Sequence, residues 1–176
     1  MISITDKTHN LNSAAAIKLL LLDVDGVLTD GSLYFSSTGE ESKAFNTQDG
    51  QGIRMLLDNG IDVGIITGRS SGVVEKRAAD LGIKLLFQGQ KNKLAALDEI
   101  ITSQQIAAEN IAYAGDDFPD LAVMKAVALG IAVANAPADL HQHANLVTEA
   151  SGGSGAVREI TDYILKAQNK YDAYFA

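Results

Sequence analysis

Residues 17–29 read IKLLLLDVDGVLT, and this stretch decides the predicted fold. Four leucines in a row are followed directly by Asp23, and Asp25 comes two positions later. A short, continuous apolar run is typical of a parallel strand that is covered on both faces. Side chains two residues apart in an extended segment share a face, so the two carboxylates are expected to act together just beyond the strand. Ligands of open α/β sheets bind at that edge, which makes the pair a candidate functional site.

The rest of the chain alternates short apolar runs with segments of helical period, a pattern that predicts a parallel sheet flanked by helices. Strands are predicted over residues 17–22, 61–66, 84–87, 111–114 and 129–133, with a short sixth strand over residues 146–147. Residues 29–45 differ, because two short runs on either side of a Gly-containing turn predict a β-hairpin. The predicted fold is therefore α/β, a Rossmann-like three-layer sandwich with a central, mostly parallel sheet and a hairpin inserted after the first strand.

Length and composition favour one domain. The chain has 176 residues, and we place a single domain at residues 14–168, after a flexible leader (1–13) and before a C-terminal tail (169–176). The tail is either a free end or a cover for a neighbouring subunit's site.

The 22 acidic and 14 basic residues give a net charge of −8, which disfavours nucleic acid and anionic membranes as partners. The sequence contains no cysteine and no apolar run as long as a membrane span. We expect a cytoplasmic protein.

Polar groups follow four consecutive predicted strands. The carboxylates of Asp23 and Asp25 come first, then Thr67, then Lys93 at the start of a helix, and then Asp116. This set suits phosphoryl transfer, in which a carboxylate nucleophile splits one difficult displacement into two easier ones. Asp23 and Asp116 are candidate ligands of Mg²⁺, which prefers oxygen ligands. Thr67 and Lys93 would bind phosphoryl oxygens, and Asp25 would act as general acid and base.

The four motifs DVDGVLT, TGR, the downstream Lys93 and GDDxxD resemble, in this order, those of the haloacid dehalogenase-like phosphatases. The resemblance covers about residues 17–168. It implies that Asp23 is the nucleophile and that Asp25 is the acid/base, with its backbone carbonyl also bound to the metal. It further implies that Asp116 completes the metal site and that Asp117 and Asp120 lie outside the ligand set.

The spacing of the motifs leaves no room for the cap domain that most of these phosphatases insert. Only 41 residues lie between Asp25 and Thr67, and only 25 between Thr67 and Lys93. A site without a cap is open to water, so we expect a homo-oligomer whose neighbouring subunits cover it. The resemblance implies a homotetramer in which the hairpins pack across subunits.

The segments FNTQDGQGIR (residues 45–54) and GGSGAVRE (residues 152–159) are similar to those of capless members that act on phosphorylated sugar acids. This similarity implies 3-deoxy-D-manno-octulosonate 8-phosphate (KDO 8-phosphate), an intermediate of lipopolysaccharide biosynthesis, as the substrate. The implied substrate-binding residues are Asp25, Asn46, Thr47, Gln48, Asp49, Gly50, Arg54, Arg69, Arg77 and Lys93. The residue pattern alone is also typical of solvated helix faces at Arg54 and Arg77.

Three alternatives stay open. The first alternative concerns the substrate. Gln48 stands where these phosphatases usually have a basic residue, so substrate choice could differ. The nearest other substrate is a sialic-type nine-carbon sugar acid 9-phosphate. A phospho-signalling receiver domain also combines acidic residues, a hydroxyl and a lysine at strand ends, but it lacks the first Asp-x-Asp nucleophile. The third alternative is a catalytically idle relative that serves as a scaffold.

Overall fold

The computed structural model describes residues 3–4 and 7–175, and it describes side chains from Asn10 onward. Its nine strands are β1 (Ser3–Ile4), β2 (Leu19–Leu22), β3 (Tyr34–Phe35), β4 (Glu41–Ser42), β5 (Asp62–Ile66), β6 (Leu85–Phe87), β7 (Ile111–Gly115), β8 (Leu129–Ala132) and β9 (Leu146–Val147). Seven of them form one sheet in the order β1-β9-β8-β7-β2-β5-β6, and β3 pairs with β4 in a separate hairpin. Six strands of the sheet are parallel, and β1 is added antiparallel to β9 at the edge.

The helices are α1 (Lys7–Ala16), α2 (Thr47–Asp58), α3 (Gly72–Leu81), α4 (Lys93–Gln104), α5 (Leu121–Ala126), α6 (Ala138–His141) and α7 (Ala156–Ala167). Short 3₁₀ turns cover Ala108–Asn110, Phe118–Asp120 and Asp172–Phe175. On one side of the sheet α7 packs between α1 and α2, and α3 follows α2, while α4 and α5 pack together on the other side. The longest helices of the described residues have 12 residues, too short and too polar to cross a bilayer.

Strand β2 lies at the centre of this three-layer sandwich. It pairs with β5 on one side and with β7 on the other, and all four of its leucines are buried. After β2, the chain adds β5 and β6 on one side of this strand, and it then crosses over to add β7, β8 and β9 on the other side. The carboxyl end of β2 is therefore the topological switch point at which α/β folds bind ligands. The predicted fold class, the six predicted strands and the hairpin are confirmed.

The amino-terminal segment differs from the predicted flexible leader. Helix α1 covers residues 7–16, and its Asn10 side chain is buried and donates to the carbonyl of Asn145 (2.8 Å). Ala14 is also buried, and α1 packs against α7. Apolar contacts on a helix face thus order a stretch whose polar composition indicated a loose end. The prediction for residues 1, 2, 5 and 6 lies outside the described residues.

The tail packs on the same chain. Lys170 donates to the carbonyl of Asn59 (3.0 Å), and the Asn59 amide donates to the Tyr174 hydroxyl (2.9 Å). Asn59 follows the last residue of α2. At 1.5 Å per residue, this 12-residue helix is about 18 Å long. The tail therefore lies at the end of α2 remote from Thr47, and it does not close its own chain's site.

Candidate active site

The site begins at the turn that follows β2. Asp23 extends the pairing of β2, because its amide donates to the carbonyl of Ala114 (3.0 Å). The chain then turns at Gly26, whose φ of 89° lies in the left-handed region that favours glycine. A Cβ at Gly26 would also overlap the carboxylate of Asp116. The turn thus needs glycine for its backbone conformation and for the close approach of the Asp116 carboxylate.

The structure brings the ends of β2, β5, β6 and β7 to one cavity of about 370 Å³. This volume suits a small molecule. The lining includes the predicted catalytic residues Asp23, Asp25, Thr67 and Lys93, and Arg69 from the predicted substrate-binding set. The remaining lining residues are Gly68, Gln90, Lys91, Asp117, Pro119 and Asp120.

Lys93 is held between two carboxylates. Its Nζ atom lies 2.7 Å from Asp23 Oδ2 and 2.7 Å from Asp120 Oδ1. Burial opposes the ammonium charge, but Asp23 and Asp120 together outweigh that effect and raise the Lys93 pKa. The lysine opens α4, which Asn92 caps by accepting from the Ala95 amide (3.3 Å). A cation is therefore fixed next to the candidate nucleophile.

Asp120 is buried and fully engaged by its own chain. Its Oδ1 atom also accepts from the Tyr113 hydroxyl (2.6 Å). Its Oδ2 atom accepts from the amides of Asp116 (3.0 Å) and Asp117 (3.2 Å). Asp120 thus orients Lys93 and the turn after β7.

Asp23 and Asp116 carry a surplus of negative charge. Burial and the nearby Asp120 raise the Asp23 pKa to about 6, although Lys93 opposes this rise. Burial together with Asp23, Asp120 and Asp117 raises the Asp116 pKa to about 7. One oxygen each from Asp23, Asp116 and Asp120 lie within 4.8 Å of one another. A hard divalent cation would relieve this repulsion, so the residues present fit Mg²⁺.

The hairpin adds two residues that the sequence analysis missed. The buried Lys43 forms an ion pair with Asp25 Oδ1 and lies 3.4 Å from Glu41 Oε1. Arg69 donates to the same Glu41 oxygen (2.8 Å) and approaches Asp25 Oδ2 at 3.6 Å. The Ser71 hydroxyl, Arg69 and Lys43 lower the Glu41 pKa to about 2. Residues 41 and 43 share a face of the predicted second hairpin strand, and that spacing could have indicated them.

A second cavity of about 410 Å³ lies where the hairpin leads into α2. Its lining includes Asn46 and Thr47 from the predicted substrate-binding set, together with Asp30, Ala44, Phe45, Gly153 and Ser154. Asn46 caps α2 by accepting from the amide of Gln48 (2.7 Å), which itself is exposed. This second cavity offers backbone and amide groups at the start of α2.

Arg77 lies beside the second cavity. Its guanidinium is 5.5 Å from the centre of the Phe45 ring, and it donates to the carbonyl of Asn46 (3.3 Å). A Cβ at Gly50 would overlap the Arg77 side chain, so the glycine leaves room for the guanidinium. Arg77 is therefore more than a solvated helix residue.

Five residues of the predicted substrate-binding set line neither cavity, namely Gln48, Asp49, Gly50, Arg54 and Arg77. Of these, Asp49 and Arg54 make contacts between helices. Asp49 is 1% exposed, and its Oδ1 atom accepts from the amide of Arg158 (2.8 Å) in the first turn of α7. Arg54 is exposed and donates to the carbonyl of Asp80 near the end of α3. Asp49 joins α2 to α7, and Arg54 joins α2 to α3, so both contacts stabilise packing between helices.

Comparison with known proteins shows the family of the chain. The family described as haloacid dehalogenase-like hydrolase matches residues 86–160. The chain is 52% identical over 165 residues to 3-deoxy-D-manno-octulosonate 8-phosphate phosphatase KdsC of Salmonella typhi, covering 94% of this chain and 88% of that protein. The chain belongs to the haloacid dehalogenase-like hydrolases. Within that class, it belongs to the family of 3-deoxy-D-manno-octulosonate 8-phosphate phosphatases.

Solved structures show the same relationship. The phosphatase of Moraxella catarrhalis, in complex with magnesium ion, phosphate ion and KDO, is 43% identical with a TM-score of 0.94, over 97% of this chain and 98% of that one. A cobalt-bound form of the Haemophilus influenzae phosphatase is 41% identical with a TM-score of 0.90, over 93% of this chain and 96% of that one.

Proposed function

We propose that this chain is a Mg²⁺-dependent phosphatase that hydrolyses KDO 8-phosphate to KDO and inorganic phosphate. The observation that carries the proposal is the convergence of Asp23, Asp25, Thr67 and Lys93 in one cavity. The relatives at about half identity are named for this reaction, and the Moraxella structure holds magnesium, phosphate and KDO. A role in lipopolysaccharide biosynthesis is part of the proposal.

In the first step, Asp23 attacks phosphorus. A bond forms between an Asp23 carboxylate oxygen and phosphorus, the bond from phosphorus to the sugar oxygen breaks, and Asp25 gives that oxygen a proton. Lys93 lies 2.7 Å from Asp23, so it can bind a phosphoryl oxygen without large movement. Thr67 lines the same cavity and supplies a hydroxyl to another oxygen.

In the second step, water regenerates the carboxylate. Asp25 takes a proton from the water, whose oxygen bonds to phosphorus while the bond between phosphorus and Asp23 breaks. Mg²⁺, held by Asp23, Asp116 and the Asp25 carbonyl, would neutralise charge on the phosphoryl group.

Substrate recognition is proposed to use both cavities. Arg69 borders the first cavity and Arg77 the second, and a guanidinium binds a sugar carboxylate in a bidentate manner. Asn46, Thr47 and Gln48 would contact sugar hydroxyls. Gln48 carries no charge, so we expect weaker carboxylate binding there than with a basic residue.

We also propose a homotetramer in the cytoplasm. Leu33, Tyr34 and Phe35 of the hairpin are 47%, 49% and 58% exposed, an apolar surface that a neighbouring subunit would cover. A phosphorylated sugar acid is too charged to cross a bilayer unaided, so the enzyme would share its compartment. Light scattering of the wild type, compared with a Phe35→Ser variant, tests the assembly.

The deciding experiment measures phosphate release with Mg²⁺ from KDO 8-phosphate, a sialic-type nine-carbon 9-phosphate and p-nitrophenyl phosphate. We expect kcat/KM at least about 100-fold higher for KDO 8-phosphate, which is about 2.7 kcal/mol of discrimination, and loss of release with EDTA. A preference for the nine-carbon substrate would contradict the proposed substrate and keep the mechanism. The absence of release from all three would favour the idle scaffold, and a stable phospho-aspartate without turnover would favour a signalling domain.

A further inference from the structure

We propose that Lys43 of the hairpin is a positioning residue that holds the Asp25 carboxylate in the orientation needed for proton transfer. The inference rests on the proposed phosphatase function and deepens it. The observation behind it is that the buried side chain of Lys43, the residue directly after β4, forms an ion pair with the candidate acid/base.

The burial of Lys43 is unusual for a lysine. Its side chain is 1% exposed, whereas lysine is almost never fully buried unless it is paired. Its partners are the carboxylates of Asp25 and, at 3.4 Å, Glu41. Because a buried charge is tolerated only when it is compensated, the packing of the hairpin and the placement of Asp25 depend on each other.

Arg69 cannot provide the same restraint. It is the other cation that contacts the Asp25 carboxylate within the part of the chain that the structure describes, but its Nε atom lies 3.6 Å away and its side chain is 44% exposed. Arg69 also donates to Glu41, and we have assigned it to the substrate carboxylate. Lys43 is therefore the partner that stays with Asp25 when Arg69 turns to a ligand.

Loss of Lys43 would leave Asp25 free to rotate, since its side chain is 21% exposed and accessible to water. An error of about 1 Å in the placement of a reacting group costs about 100-fold in rate. We expect Lys43→Met to lower kcat by about 10- to 100-fold with KM changed by less than about 3-fold. Lys76→Met is the control, because Lys76 is 76% exposed in a surface pair with Asp80 and its loss should leave kcat unchanged.

A double-mutant cycle with Asp25→Asn separates positioning from a general structural effect. If Lys43 acts through Asp25, adding Lys43→Met to Asp25→Asn should lower kcat by less than about 2-fold further, because residues that act as a unit are not additive. If the double variant instead loses kcat by the product of the two single-variant reductions, the proposal is overturned. If Lys43→Met does not fold, Lys43→Arg serves in the same cycle, with an expected loss of about 3- to 10-fold that again vanishes beside Asp25→Asn.

A pre-steady-state measurement with p-nitrophenyl phosphate gives a second, independent result. Departure of nitrophenolate needs little proton assistance, whereas attack by water needs Asp25. Lys43→Met should therefore release a burst approaching one nitrophenolate per site before slow turnover. A burst and a steady rate that shrink in proportion would overturn the proposal.

The generic substrate keeps this test separate from the test of the sugar acid. A wild-type enzyme that shows no preference for KDO 8-phosphate can still give the expected burst and cycle. A wild-type chain that hydrolyses no phosphate ester would overturn both proposals.

Discussion

The carboxylate of Asp116 occupies the space in which a Cβ of Gly26 would lie. The two residues follow different strands, β2 and β7, which pair in the centre of the sheet. Any side chain at position 26 would therefore displace the Asp116 carboxylate, one of the two proposed metal ligands.

Gly26→Ala should accordingly lower Mg²⁺ affinity and activity by at least about 10-fold, the scale of a displaced ligand shell. Gly39→Ala is a matched control, because Gly39 also has a positive φ of 84° but nothing within 4 Å of its Cβ position. Both variants carry a backbone penalty of about 1 kcal/mol. Calorimetric titration with Mg²⁺ distinguishes them, and equal affinities would contradict the steric argument.

Asp23→Asn should reduce kcat by about 1,000-fold or more, because it removes the nucleophile. It should also raise the Tm of the metal-free protein, since it removes one of the carboxylates that repel each other at the site. Asp139→Asn, on the exposed surface of α6, should change neither property. Acid quenching followed by mass spectrometry should locate phosphate on Asp23 of the wild type.

The stability of the metal-free protein should fall as the pH rises. The pKa is raised from 3.8 to about 6 at Asp23 and to about 7 at Asp116. Between about pH 4 and pH 7, the folded chain therefore holds protons that the unfolded chain has released, and a higher pH favours unfolding. Mg²⁺ binds the deprotonated carboxylates, so its stabilising effect should grow over the same window. Tm values in EDTA and in Mg²⁺ from pH 5 to pH 8 check this, and a flat EDTA series would be contrary evidence.

Asp120→Asn should lower kcat by about 10- to 100-fold, because Lys93 loses one of its two carboxylate partners and the amides of the β7 turn lose a charged acceptor. Tyr113→Phe removes one hydrogen bond to Asp120 and should cost about 1 kcal/mol of stability with a smaller effect on kcat. Steady-state kinetics and thermal unfolding of the two variants test this order of effects.

The sequence was most informative where local pattern and chemistry coincide. The four leucines before Asp23 predicted both the central strand and the edge at which the carboxylates meet, since strand direction carries each following residue to that edge. Thr67, Lys93 and Asp116 could be assigned for the same reason. The strand ends could be predicted because they follow from the alternation of apolar runs and helical segments along the chain, which is a local property of the sequence.

The contacts that sequence analysis missed are tertiary. Nothing local distinguishes Asp49, which lies against the start of α7, from the neighbouring residues that line a cavity. The Lys43 ion pair depends on how the hairpin folds over the sheet, because it joins residues 18 positions apart. Residues 7–13 of α1 fall in the stretch that was predicted to be a flexible leader. The helix packs against α7, and this tertiary contact is not visible in a local sequence pattern.

The pairing of β2 with β7 also has a consequence for how the protein folds. Leu19 lies beside Ile111, so the strand that carries Asp23 gains its second neighbour only after more than half of the chain has been synthesised. Pairings between residues so distant in sequence are typical of slow folding, because a long loop must close before the contact forms. The nascent amino-terminal half, with one side of its central strand still open, is the stage at which this protein is most exposed to aggregation.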